Sequence, residues 1–302
     1  MIKTMHLPRE ACQLPPREVC LGRRRLYGER GGRVPGRELP VSQRIAADIR
    51  EAIESGELPP GSLLPSEREL MDRYRTTKST VGKAVSILRA QGLVSSQVGR
   101  GLFVRTPRQR LRRHHSERYQ WEKNRARLDA SERRKTGATE FDTGLDLSDL
   151  RFYAKYSVID ASKEIAKRFS VPTGTRMLKR EYRTSSKSES SPLNIAYSYL
   201  VYDMVAKNPD LLDEKNEPWP GGTQNQLYTL GIELDRIVDE LTARPPLPEE
   251  AKILDLEPGV SVLVLHKTSI DTNDRVVEFS EVILPGDRTE IVYTTKLARW
   301  ES

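Results

Sequence analysis

Thr77, Lys78, Ser79, Thr80 and Lys83 crowd hydroxyl and ammonium donors into one short run. Apolar residues follow at helical spacing, Val81, Ala84, Val85 and Leu88, so the donors fall on the exposed first turns of a helix. Such a set is suited to phosphate oxygens and base edges. A second basic point, Gly99-Arg100-Gly101, stands at a glycine-rich turn. This is chemistry of recognition, not of bond making. The chain shows no paired His/Cys or Ser/His signal, no phosphate-cradling loop and no metal cluster. His114 and His115 are adjacent, so on a helix they point apart and make no metal pair. No cofactor is implied.

The elements that must hold these donors can be read around them. Ser66 precedes Glu67 and Glu69, a hydroxyl cap with acidic side chains in the first turn, and Leu70, Met71 and Tyr74 form a short apolar face. Arg75-Thr76-Thr77 interrupts the pattern before the donor helix, which gives a helix-turn-helix. Upstream, Ile45, Ile49, Ala52 and Ile53 mark a first helix closed at Ser55-Gly56. Downstream, Leu93–Val98 and Leu102–Val104 flank the Gly-Arg-Gly tip as a two-stranded hairpin. Three helices and a wing make a winged helix-turn-helix over residues 39–106.

The segment Val41–Val104 resembles the DNA-binding domain of the GntR family of bacterial transcription regulators. The stretches LPPGSLLPSERELMDRY, TTKSTVGKAV, LRAQGLV and GRGLFV carry the resemblance. It implies DNA contacts from Arg68 on the second helix, from Thr77, Lys78, Ser79 and Thr80 on the recognition helix, and from Gly99 and Arg100 on the wing. Family members often carry Arg where this chain has Gly82. Lys83 beside it can meet a phosphate, but it does not reproduce a two-pronged guanidinium grip on guanine.

Charge separates the chain into unlike halves. Residues 1–135 hold 30 Lys+Arg against 15 Asp+Glu, whereas residues 136–302 hold 20 against 28, so a polyanion-binding front is joined to an acidic back. Residues 1–38, with Pro15-Pro16, Arg23-Arg24-Arg25 and few apolar side chains, are expected to be a disordered basic arm. Residues 107–144 read as a basic, partly ordered interdomain linker. Its Tyr119 and Trp121 suit either nucleic-acid stacking or anchorage on a neighbouring domain, and we favour the second. Cys12 and Cys20 provide neither a disulfide framework nor zinc-ligand spacing. No apolar run reaches membrane-span length and no signal-peptide core is evident, so a cytoplasmic protein is expected.

The back half alternates strands and helices with mostly antiparallel pairing, an α+β pattern. Strands are expected over Tyr153–Ile159, Arg176–Thr184, Leu193–Leu200, Glu233–Arg244, Val260–Ile270 and Val276–Leu284. Helices are expected after Ser162, around Pro209, after Thr223 and over Pro248–Leu254. Residues 145–300 are similar to the UTRA domain, the chorismate-lyase-like α/β sensor of the HutC-type GntR branch. GTRMLKREYR, QLYTLGIEL, LPEEAKILDLEPGVSVLVL and VVEFSEVILPGDR carry that resemblance. By position it implies effector contacts from Arg183, Tyr228 and Glu278: a guanidinium fork for a carboxylate or phosphate, an aromatic wall, and an acceptor for ligand hydroxyls or amines. A surface or structural role for Arg183 and Glu278 remains an equal reading. Glu240 and Arg244 alternate onto one strand face and are open to the same two readings. The expected function is a non-enzymatic regulator, a homodimeric repressor on a palindromic double-stranded operator, modulated by a small-molecule effector. A constitutive DNA-binding protein and a chorismate-lyase-like enzyme are the alternatives.

Overall fold

The computed structural model describes residues 39–299 except positions 98, 99, 107 and 109; the expected basic arm and Gly99 lie outside the described residues. The head opens with α1 (Val41–Glu54), α2 (Glu67–Tyr74) and α3 (Lys78–Ala90), followed by the antiparallel pair β1 (Val94–Gln97) and β2 (Gly101–Val104). Ser66 starts α2 through a reciprocal cap. Its hydroxyl accepts from the Glu69 N–H at 3.2 Å, and its own N–H donates to the Glu69 carboxylate at 2.7 Å. Arg75 ends α2 in the left-handed region, turning the chain toward Thr77, which caps α3. Ile45, Ile49, Leu70, Val81, Ala84, Leu88, Val94 and Val104 close one core beneath these elements. The helical and strand periods predicted from the sequence meet there.

Residues 111–143, expected as a partly ordered linker, are built into the back half. They form β3 (Leu111–His114), α4 (His115–Ala126), α5 (Ala130–Arg133) and α6 (Ala138–Thr143). Strand β3 pairs in parallel with β10 (Thr289–Val292) near the far end of the chain. The aromatics act as anchors. Trp121 stacks on Phe141 with ring centroids 4.6 Å apart, and the Tyr119 hydroxyl donates to Asp239 at 2.8 Å. The basic composition concealed this order because many of these charges find partners inside the protein instead of in solvent.

The back half is a six-stranded antiparallel sheet. Its strands are β4 (Leu150–Asp160), β5 (Arg176–Ser186), β6 (Asn194–Val201), β7 (Leu234–Arg244), β8 (Val262–Asp271) and β9 (Val276–Pro285), in the spatial order β4-β5-β6-β9-β8-β7. The two faces diverge in chemistry. One packs Met177, Ile195, Phe279 and Ile283 against α7 (Lys163–Phe169) and α10 (Pro248–Leu254). The other carries the polar side chains described below and is faced by α4 and α9 (Gly222–Thr229). A short helix α8 (Tyr202–Val205) follows β6. Helix α9 begins at Gly221 in the left-handed region, so Thr223 lies within it and is not the expected cap. No helix among the described residues is long and apolar enough to cross a membrane.

Candidate DNA interface and ligand cavity

The first turn of α3 is positioned by its own cap and by α2. The Thr77 hydroxyl accepts from the Thr80 N–H at 3.4 Å, and the two hydroxyls lie 3.1 Å apart. Both side chains therefore serve the helix start. Lys78 is exposed and reaches Glu67 of α2 at 3.0 Å, a solvent-screened pair that is easily exchanged for a phosphate. Arg68, Ser79, Lys83 and Arg100 are exposed as well, and Arg100 lies over the Phe103 ring at the base of the wing. An added Cβ at Gly82 would meet nothing within 4 Å, so nothing in the fold requires glycine there.

A cavity of about 310 Å³ opens over the polar face of the sheet. Its floor comes from alternate residues of β5, β6 and β9, namely Tyr182 and Thr184, Ala196 and Ser198, Glu278 and Ser280, with Lys267 from β8. One wall is the run from Glu217 to Gln226; the other is β3, α4 and the chain through α6. Glu278 is the electrostatic centre. It is 1% exposed, receives the hydroxyls of Ser198 (2.8 Å), Ser269 (3.1 Å) and Ser280 (3.1 Å), and faces Lys267 at 3.0 Å and Arg180 at 3.5 Å. Burial alone would raise its pKa, but Lys267 and Arg180 outweigh that and hold it down at about 2. Arg180, 1% exposed, also donates to Gln226 at 2.6 Å, locking α9 to the sheet. Glu217 accepts from Tyr156 (2.5 Å), Tyr182 (2.9 Å), Gln226 (3.0 Å) and the Trp219 N–H (2.7 Å). At the rim Gly221 lets Arg133 donate to the Pro220 carbonyl at 2.9 Å; a Cβ at 221 would stand 2.6 Å from the Arg133 Cδ.

Of the three effector residues named from the resemblance, the structure places Glu278 in this cavity and the other two elsewhere. Arg183 is one residue out of phase with Tyr182 and Thr184, so it emerges on the opposite face, where it pairs with Glu181 at 2.5 Å and lies over the Tyr153 ring. Tyr228 is half exposed on α9 and borders a separate depression beside Lys123 and Leu234. Glu240 and Arg244 also face away, toward Arg168 of α7 and Glu250 of α10. The sequence reading passed over Arg180, Tyr182 and Glu217, and the whole α4 wall. Leu178, Arg180, Tyr182 and Thr184 do alternate along β5, but that pattern does not announce which face is roofed.

Comparison with known proteins agrees with this architecture. Residues 41–104 match the family of bacterial regulatory proteins named gntR, and residues 153–290 match the UTRA domain. The chain is 28% identical to the HTH-type transcriptional regulator SCO4628 of Streptomyces coelicolor, over 85% of this chain and 93% of that one. It is 24% identical to the HTH-type transcriptional repressor NagR of Bacillus subtilis, over 84% and 94%. A crystal structure described as that of a GntR-family transcriptional regulator superposes with a TM-score of 0.59 at 25% identity, covering 86% of this chain and 99% of that one. Each of these relatives is named as a transcription regulator or repressor. With a gntR-type winged head followed by a UTRA effector domain, the chain is a DNA-binding transcription regulator of the GntR family, HutC type.

Proposed function

We propose that this regulator is a repressor that binds a palindromic operator as a homodimer and is modulated by a small molecule seated over Glu278. The observation that carries the reading is the wall of the cavity. Strand β3 and α4, the first elements after the wing, form one side of the space a ligand would fill. A ligand there has a direct mechanical route to the head. It alters operator occupancy only by binding differently to the geometry in which two recognition helices match the half-sites and to the one in which they do not. Two heads are needed because one winged helix buries little DNA, and two copies define a two-fold site. NagR, a repressor by name, supports the sign of regulation.

In this reading Arg68, Lys78, Ser79, Lys83 and Arg100 meet the duplex, with Thr77 and Thr80 presenting the helix start. Footprinting the upstream region of its own gene, with and without a small-molecule extract of the source cells, locates the operator and tests for release. On that operator, Arg68→Ala and Lys78→Ala are each expected to weaken binding about tenfold and to lower the salt slope by about one, with thermal stability unchanged. Wild-type affinity in both variants overturns the assigned interface. Occupancy insensitive to every extract overturns the sensor.

A further inference from the structure

Among the described residues, Arg75, Ser170, Asp255 and Asp274 hold a positive φ without being glycine. Ser170 is small, and aspartate is a type that visits the left-handed region with a local polar side chain. Both aspartates are also engaged, Asp255 with Arg108 and Asp274 with Arg236. Arg75 differs. Its φ is 46°, and its long side chain is exposed and makes no hydrogen bond, ion pair or ring contact among the described residues. Glycine is the residue that ends a helix in this conformation without strain. Arg75 therefore costs the fold stability, and no contact of its side chain within the fold offsets the cost. The turn it occupies is the one that delivers the recognition helix, two residues before Thr77, the cap of α3. It stands about 10 Å along the α2 axis from Arg68, at the other end of that helix, so the two side chains can serve different phosphates. Within α3, Gly82 falls four residues after Lys78 and three after Ser79, the spacing of one helix face, and offers no side chain there. The helix is short of one contact in the groove, while the turn ahead of it holds a cation with nothing to bind.

We propose that Arg75 is a contact to the DNA backbone: from the turn ahead of α3, its guanidinium binds a phosphate flanking the groove that α3 enters. The proposal rests on the reading that α3 enters the duplex, and the experiment separates the two. In the free protein the left-handed turn is strained; in the complex a charge-assisted contact offsets that strain. A guanidinium suits the task because its planar fork meets two phosphate oxygens at once. Such a contact carries no sequence information. It fixes the register of α3 on the duplex and appears as affinity and salt dependence. A residue kept for the fold would lose stability when replaced. Here stability and binding move in opposite directions.

Phosphates are common to every duplex, so the test needs no operator. Binding of the full chain to a fluorescein-labelled duplex of arbitrary sequence is followed by anisotropy over a series of salt concentrations, with the thermal midpoint measured in parallel. Wild type is compared with Arg75→Gly, Arg75→Lys and Lys78→Ala. Arg75→Gly is expected to raise the midpoint by about 2 °C as the turn relaxes. It is expected to weaken duplex binding about fivefold near about 0.1 M salt, with the slope of log affinity against log salt shallower by about 0.9. Arg75→Lys keeps both charge and strain, so its midpoint and slope stay at the wild-type values. Wild-type affinity and slope in Arg75→Gly, with Lys78→Ala weakened, overturn the proposal and leave the recognition helix in place. Wild-type binding in both variants overturns the two together. A lowered midpoint in Arg75→Gly also overturns the proposal, because Arg75 would then be supporting the fold. So does a slope in Arg75→Lys as shallow as in Arg75→Gly, because the contact would then not be one of charge.

Discussion

Glu278 shows how one side chain can be both interior and ionic. Its carboxylate is surrounded by three serine hydroxyls and two cations, so the cost of removing it from water is offset at every lone pair. Removing its charge leaves Arg180 and Lys267 facing each other without it. Glu278→Gln is therefore expected to cost about 3–5 kcal/mol in urea unfolding. The pH dependence has a definite sign. The folded-state pKa lies below the unfolded value, so the stabilisation is complete above about pH 4.5. It is lost as pH falls toward about 2. Unfolding curves across that window should show the loss in wild type and a flatter acid limb in the variant. The resemblance named Glu278 and Arg183 alike; Glu278 lines the cavity, whereas Arg183 stands on the opposite face. The two chemistries read alike on paper; a single step of strand parity separates them.

The elements differ in how much of their role is local. Helix α3 is set by its cap, its apolar period and its turn, all within a short run of chain. Gly82 is its one inconsistent residue. With open space around the missing Cβ, Gly82→Ala should raise stability by about 0.5–1 kcal/mol through reduced backbone entropy in the unfolded chain. Thermal or urea unfolding measures this, and a loss of stability would show that the helix is strained at that point. Helix α4 behaves in the opposite way. Its acidic, basic and aromatic residues give a weak apolar period, which is why the stretch reads as linker. Trp121 against Phe141, Tyr119 against Asp239 and Lys123 on the Leu234 carbonyl tie it to partners far along the chain. No local rule links those positions.

Across the whole described chain, head and sensor meet at a polar seam. Arg105, at the end of the wing, pairs with Asp287 just after β9, and both side chains are about nine-tenths buried. Arg108 donates to the Asp255 carbonyl at 3.0 Å and to Ser191 at 3.2 Å. Gly259 approaches Ala90 so closely that a Cβ would lie 2.8 Å from the alanine's own. Asp287→Ala leaves Arg105 buried without its carboxylate, a loss of about 3–5 kcal/mol for such a pair. Hydrogen exchange should quicken in residues 87–93 and 102–106 while the far strands β4 and β5 keep their protection. Uniform exchange in wild type and variant would mean that the seam does not hold the head.

Capping boxes, turn residues and apolar periods act between neighbours in sequence, so the winged head, the α+β class and most of the sheet strands were readable in the bare chain. The donors of the recognition helix were readable for the same reason. The cavity was not, since its floor depends on which face of each strand is roofed and its wall on a segment whose partners lie a hundred residues away. Burial and charge pairing are properties of distant groups brought together. Folding is what turned arginines of a stretch that read as a basic, partly ordered linker into the lining of a cavity.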